Sequence, residues 1–134
     1  MKPIDSERGG SVKRTDEREV LKIVHDYMKG CSLADDVLLR SVFHEKAVVN
    51  GFFDSKLIAV SPSHFIQEII SNPLMDPVKE DYQLTVEQVY VMDDIASVIV
   101  THNTDQGERK LVDCFHLIRD DGLWYITSKL FSNR

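Results

Sequence analysis

The chain has 134 residues, of which 43% are hydrophobic, and a formal net charge of −6 at pH 7. That length and composition suit one compact domain with a hydrophobic core, while the acidic balance argues against the basic surface that nucleic-acid binding needs. No apolar run approaches the roughly 18 residues of a membrane-spanning helix. We therefore expect neither nucleic acid nor membrane as a partner.

The N-terminal residues are mostly charged or small and include no apolar stretch typical of a secretory signal. We predict a flexible tail over residues 1–15, a single domain over residues 16–134, and a cytoplasmic protein. Cys31 and Cys114 lie far apart in the chain and lack CxxC spacing, which favours two ordinary reduced thiols.

Two helices are predicted at the start of the domain. Asp16 followed by Glu19 resembles a capping box, the next residues place apolar side chains on one helical face, and Gly30 is a natural helix stop. A second helix is expected after Ser32, with acidic residues near its positive end, where they favour the helix dipole.

Two short strands and a third helix follow. The segments KAVVNGFF and KLIAV have strand composition and flank a turn at Asp54-Ser55. Ser61 and Pro62 then open a third helix, which ends before Pro73.

Four runs of β-type residues complete the chain, at about residues 83–92, 95–104, 109–119 and 123–131. Turn residues separate them, so they form a β-meander. Helices first and a long antiparallel sheet last predict an α+β domain.

The two faces of this sheet follow from the alternation of side chains along paired strands. Two-residue turns at Asp93-Asp94 and Asp121-Gly122 predict that Val91 pairs with Ala96 and Leu117 with Ile126. A turn centred on Gln106-Gly107 predicts that Val100 pairs with Asp113 and His102 with Leu111. One face is then mostly apolar and includes Val100, Phe115, Leu117, Trp124 and Ile126. Near one end the same face carries Glu87, opposite Val100, together with His102 and Asp113. The opposite face is predicted to carry Cys114, His116, Ile118, Tyr125, Thr127 and Lys129.

Two carboxylates and an imidazole on an apolar face require an explanation, because burying an unpaired charge costs on the order of several kcal/mol. We therefore predict that this end of the face lines a cavity that is open to water or to a ligand. The outer face is fairly apolar for a surface exposed to water, which predicts self-association through it.

Three segments, VFHEKAVVNG, DDIASVIV and DCFHLIRDDGLWYITSKLF, together with the helix–helix–strand start, resemble the lumazine-binding family of the nuclear-transport-factor-2-like (SnoaL-like, cystatin-like) superfamily. The resemblance covers roughly residues 16–131. It implies a cone-shaped, strongly curved antiparallel sheet wrapped around three N-terminal helices, usually with an internal pocket and often with a homodimer through the outer sheet face. Relatives include ketosteroid isomerase, scytalone dehydratase and SnoaL-type cyclases as well as non-catalytic modules, so the fold alone does not decide the function.

Asp113 and His102 are the candidate catalytic residues. A carboxylate among apolar neighbours could have a raised pKa, which would suit a general acid or base. Alternatively, Asp113 accepts hydrogen bonds from a helix residue such as Tyr27 and only stabilises the fold. His102 lies diagonally across two strands from Asp113, within reach of it, and could complete an acid–base pair or be a half-exposed histidine at the sheet end. Glu87 could share the site or be a solvated charge.

We predict a small-molecule-binding domain whose cavity takes an aromatic or polycyclic organic molecule. The alternatives are a cofactor-independent isomerase, dehydratase or cyclase that uses the Asp113–His102 pair, and a protein-interaction module. No cofactor is expected, and no metal, because the histidines lack ligand spacing. The residues predicted to line the pocket are Tyr27, Glu87, Val100, Phe115, Leu117 and Trp124.

Overall fold

A computed structural model describes residues 2–72, 83–104 and 109–133, with the backbone alone for residues 2–13, 83, 103–104 and 109. The helices are α1 (Lys2–Leu33), α2 (Asp36–Val42) and α3 (Pro62–Ser71). The strands are β1 (Phe43–Phe53), β2 (Lys56–Val60), β3 (Gln83–Met92), β4 (Ile95–Thr104), β5 (Arg109–Asp120) and β6 (Leu123–Ser132).

Side-chain caps start the two short helices where the sequence predicts them. The Asp35 carboxylate accepts a hydrogen bond of 3.1 Å from the backbone N–H of Leu38 at the start of α2. The Ser61 hydroxyl does the same for His64 at 3.1 Å, and Pro62 occupies the first turn of α3. Each cap satisfies one of the N–H groups that a helix start leaves without an intrahelical partner.

Helix α1 begins earlier than the sequence predicts. It extends back to Lys2, so the prediction of a helix start at Asp16 was wrong. The Asp16 side chain does not cap the helix but accepts a hydrogen bond of 2.8 Å from the guanidinium of Arg119 on β5. The lysine, arginine and glutamate residues around it are good helix formers and give the chain no reason to stop. The boundary between tail and domain at residue 15 remains a prediction.

Arg119 connects three elements at one end of the sheet. Its guanidinium donates to Asp16 on α1 and, at 2.8 Å, to Asp94 in the β3–β4 turn. The same group lies 5.1 Å from the ring centroid of Trp124 on β6, within the range of a cation–π interaction. These contacts hold α1 against the sheet.

The six strands form one curled, unclosed sheet in the order β2-β1-β6-β5-β4-β3. The pairs are antiparallel except for β1 with β6, which run parallel. Positive φ angles at Asp93 (52°), Asp121 (52°) and Gly122 (83°) are those that two-residue hairpin turns need. The helices cover the concave face, and the predicted α+β fold is confirmed.

The predicted strand registers hold except at two bulges. Val91 faces Ala96, Val100 faces Asp113, His102 faces Leu111, and Leu117 faces Ile126, all as predicted. The turn predicted at Gln106-Gly107 lies outside the described residues. A first bulge interrupts the β3–β4 pairing at Glu87, and a second interrupts the β5–β6 pairing at Thr127. An extra residue in one strand reverses the alternation beyond it.

The core lies between the concave face of the sheet and the helices. Val98, Phe115 and Ile126 of the sheet are fully buried. They belong to the same apolar cluster as Val24 of α1 and Leu39 of α2. The predicted inward orientation of Phe115, Leu117 and Trp124 is therefore correct.

Candidate functional site

Three charged or ionisable side chains meet on the concave face of the sheet. Asp113, His102 and Lys129 are 3%, 7% and 4% exposed, respectively. The Nε2 atom of His102 lies 3.0 Å from Oδ2 of Asp113. The Nζ atom of Lys129 lies 3.2 Å from Oδ1 of the same carboxylate. Asp113 therefore bridges an imidazole and an ammonium group through its two oxygens.

Neighbouring strands bring these side chains together. Asp113 on β5 faces Val100 on one side and Phe131 on the other. His102 lies two residues beyond Val100 on β4, which gives the diagonal arrangement that the sequence predicts. The contact between His102 and Asp113 depends only on the register of the β4–β5 pairing, which is the predicted one.

Lys129 is the residue that the sequence analysis missed. Regular alternation from the Asp121-Gly122 turn placed it on the outer face, and this prediction was wrong. The bulge at Thr127 shifts the pairing so that Ser128 faces His116 and Lys129 faces Phe115. Consecutive polar residues at Thr127-Ser128 interrupt the apolar pattern of β6, but this signal is too common to reveal a bulge.

Lys129 determines the charge state of Asp113. Burial favours the neutral acid and raises the pKa of Asp113, but the attraction of Lys129 and the hydrogen bond with His102 outweigh it and hold the pKa below its ordinary value. The sequence suggested a raised pKa for Asp113, and this was wrong. That interpretation considered the apolar neighbours of Asp113 but not Lys129, which it had placed on the outer face. Asp113 is therefore a carboxylate, and with Lys129 it forms a buried ion pair.

Aromatic rings surround the Lys129 ammonium. Its Nζ atom lies 4.1 Å from the ring centroid of Phe131, 4.7 Å from that of Phe65 and 5.6 Å from that of Tyr27. Each distance falls within the range of a cation–π interaction. The cluster thus joins polar groups on β4, β5 and β6 to rings from α1 and α3.

Tyr27 is a core residue beside this cluster. It is 2% exposed, and its ring contacts those of Phe43, Phe65 and Phe115. A hydrogen bond joins it to the thiol of Cys31. The contacts of Asp113 described above are with His102 and Lys129 of neighbouring strands, and a hydrogen bond from a helix residue to Asp113 remains a prediction.

Two of the residues predicted to line the pocket, Glu87 and Trp124, lie away from this cluster. Glu87 occupies the β3 bulge, is exposed, and accepts a hydrogen bond of 2.8 Å from the Thr101 hydroxyl. Its predicted place opposite Val100 was wrong, because Val86 takes that position. Trp124 faces Arg119 at the hairpin end of the sheet. At the usual rise per residue of a strand, Arg119 and Asp113 are roughly 20 Å apart along β5.

The two cysteines are free. Burial raises the pKa of the Cys31 thiol to about 12, although the hydrogen bond with Tyr27 partly offsets this effect. Burial and the nearby Asp113 carboxylate also raise the pKa of Cys114. Neither thiol is activated as a nucleophile, as the sequence predicts.

Within residues 2–72, 83–104 and 109–133, no group of three or more histidine, cysteine and acidic side chains could hold a metal ion. None of the helices in these ranges is both long enough and apolar enough to cross a membrane.

The family described as "putative lumazine-binding" has a sequence profile that matches residues 15–132. The chain belongs to this lumazine-binding family. No curated protein matches the sequence.

Solved structures share the fold of this lumazine-binding family member. A nuclear-transport-factor-2-like protein of unknown function from Silicibacter pomeroyi is 23% identical, with a TM-score of 0.79 over 91% of this chain and 98% of that chain. A similar protein of unknown function from Shewanella baltica is 19% identical, with a TM-score of 0.75 over 90% and 94% of the two chains. A protein from Streptomyces avermitilis, described as a "putative dehydratase", is 16% identical, with a TM-score of 0.66 over 91% and 98%. At these identities the likeness concerns the fold.

Proposed function

We propose that this protein is a small-molecule-binding domain whose ligand enters an internal cavity on the concave face of the sheet. The observation that carries this proposal is the buried cluster of Asp113, His102 and Lys129. Well-packed apolar residues of similar volume are often as stabilising as a buried ion pair or more so, so stability alone gives little reason to keep these groups. Binding sites typically combine apolar walls with a few polar groups that orient the ligand.

The ligand we propose is an aromatic or polycyclic organic molecule. Tyr27, Phe65 and Phe131 offer flat apolar surfaces next to the polar groups, and aromatic rings pack well on one another. The description of the family refers to lumazine binding, which supports a small organic ligand for this chain.

A nuclear-magnetic-resonance screen with planar aromatic compounds tests this proposal. We expect at least one compound to shift the backbone amide signals of residues 100–102, 113–115 and 129–131. His102→Ala should weaken that binding about tenfold or more, since a lost hydrogen bond to a buried group is worth about 1–3 kcal/mol. His116→Ala is the matched control, because His116 is exposed on the outer face of the same sheet. A panel that shifts only outer-face amides, or none, would contradict a ligand site at the cluster.

A second candidate function is cofactor-independent isomerase, dehydratase or cyclase chemistry with the His102–Asp113 pair. The hydrogen bond of 3.0 Å between the two side chains favours it. Because Asp113 is an ion-paired carboxylate, it would orient His102, and His102 would transfer the proton. The same pair of variants tests this role: with a substrate in hand, His102→Ala should lose turnover while His116→Ala keeps it. Equal rates for the two variants would exclude His102 from catalysis.

We further propose that two copies of the chain associate through the outer face of the sheet. Large apolar side chains lie exposed there, among them Tyr90 (48%), Met92 (51%), Ile95 (59%) and Leu130 (53%). A self-complementary apolar surface suits a two-fold homodimer. Analytical ultracentrifugation should show a dimer for the wild type and a monomer for Ile95→Lys/Leu130→Lys, while Val37→Lys, on α2, should leave the dimer intact. A wild-type monomer at concentrations of tens of micromolar would refute this interface.

A further inference from the structure

We propose that the ligand of this site is a planar aromatic molecule with an anionic oxygen, a carboxylate or an enolate, and that Lys129 binds that oxygen. This inference rests on the small-molecule-binding function proposed above and specifies the class of ligand. It starts from the surroundings of the Lys129 ammonium, which no sequence motif indicates.

Within the described part of the chain, Lys129 has more N–H donors than its protein partners accept. An ammonium group has three N–H donors. Among the described residues, Asp113 is the one carboxylate that pairs with Lys129, and it does so through Oδ1 at 3.2 Å. The other oxygen of Asp113 faces His102 at 3.0 Å. Lys129 can therefore donate to a ligand oxygen while it keeps its contact with Asp113.

The arrangement of rings around Lys129 favours an anion over a cation. The faces of Tyr27, Phe65 and Phe131 that could attract a cationic ligand already lie against the Lys129 ammonium. A second cation would be repelled by the first in a site of low dielectric. An anionic oxygen would instead be attracted to Lys129, and the ring that carries it would pack against the edges of the aromatic side chains whose faces lie against the ammonium.

The side from which the ligand reaches Lys129 follows from the burial of the three rings. Tyr27 and Phe131 are 2% and 7% exposed, whereas Phe65 on α3 is only partly buried. Phe65 is therefore the ring that can move with least loss of packing, and the ligand would approach from the side of α3.

A matched pair of probes tests the class of ligand. The anion 2-naphthoate and the neutral 2-naphthamide have the same ring system and differ in charge. By isothermal titration calorimetry at neutral pH, we expect the wild type to bind naphthoate about tenfold more tightly than naphthamide or better, as charge-assisted hydrogen bonds are roughly twice as strong as neutral ones. Asp113→Asn should bind naphthoate more tightly still, because the competing carboxylate is gone.

The double variant Asp113→Asn/Lys129→Met should lose the preference for naphthoate without leaving an unpaired buried charge. The control Lys22→Met removes an exposed lysine of α1, whose side chain is 72% exposed, and should keep the preference.

The outcomes separate this inference from the proposed function. Equal affinities of the wild type for the two probes, or a naphthoate preference that survives in the double variant, would overturn the role of Lys129 while a ligand site remains. A protein that binds other planar aromatic compounds at the cluster but not naphthoate would overturn the ligand class. Failure of every planar aromatic compound at the cluster would instead overturn the binding function itself.

Discussion

Removing either member of the Asp113–Lys129 ion pair should destabilise the protein strongly, by about 3–5 kcal/mol, whereas removing both should cost far less. Lys129→Met leaves the Asp113 carboxylate buried without its ammonium. Asp113→Asn leaves the ammonium buried without its carboxylate. The double variant Asp113→Asn/Lys129→Met leaves neither charge of the pair buried without its partner. The amide that replaces the carboxylate can still form a hydrogen bond with His102. We expect this double variant to lose no more than about 1–2 kcal/mol.

Urea denaturation followed by circular dichroism measures these free energies of unfolding. The matched control is the pair Lys22–Asp26 on α1, whose atoms approach to 2.7 Å but whose lysine side chain is 72% exposed. Lys22→Met should cost about 0.3–0.5 kcal/mol, because exposed ion pairs of this spacing contribute little. The N–O distance of the buried pair, 3.2 Å, exceeds the 2.7 Å of the control pair. Burial and not distance therefore accounts for the expected difference in stability. Additive losses in the double variant would show that Asp113 and Lys129 are not coupled.

The second large effect is a loss of stability in acid that depends on Asp113. In the folded protein the pKa of Asp113 lies below its ordinary value. The ionised form of Asp113 is therefore favoured more strongly in the folded state than in the unfolded state. This stabilisation is complete above the unfolded pKa, about 3.9, and it is lost as the pH falls through the lower folded pKa. Between the two values, the unfolding free energy should decline by up to about 1.4 kcal/mol per pH unit from this residue alone.

Comparison with Asp113→Asn/Lys129→Met isolates the contribution of Asp113 from that of the other carboxylates. Urea denaturation from neutral pH down to about pH 2.5 should show a difference between wild type and variant that is constant near neutrality. Below about pH 4 the wild type should lose the stabilisation that depends on ionised Asp113, and the variant has no such stabilisation to lose. The difference in unfolding free energy should therefore shift in favour of the variant. Parallel curves throughout the range would mean that the pKa of Asp113 is the same in the folded and unfolded states, against the ion pair described here.

Much of the fold could be predicted because helix caps and tight turns are encoded by residues close together in the sequence. Ser61 and Asp35 cap the helices that follow them, and Asp121-Gly122 forms a tight turn, because backbone geometry within a few residues decides both features. The contact between His102 and Asp113 follows from the pairing of two neighbouring strands and the alternation of side chains. The parallel pairing of β1 with β6 does not follow in this way, since the chain between them holds most of the domain.

The site itself was predicted only in part. His102 and Asp113 were found, but Glu87 was placed inside and Lys129 outside, and both assignments are reversed by bulges. A bulge adds one residue to one strand of a pair, bends that strand and increases its twist. Whether it forms depends on how the sheet curves around the helices, which no short segment of β3 or β6 encodes.

The sequence by itself therefore determined the order of helices and strands, the hairpin turns, the apolar face of the sheet and the Asp113–His102 contact. Only the tertiary structure decided that Lys129 faces inward and that Asp113 is an ion-paired carboxylate with a lowered pKa. The physical reason is that side-chain alternation has a period of two residues, so a single bulge at Thr127 moves a cation from solvent to the core. There, the attraction of Lys129 and the hydrogen bond with His102 together outweigh the desolvation that the apolar neighbours impose.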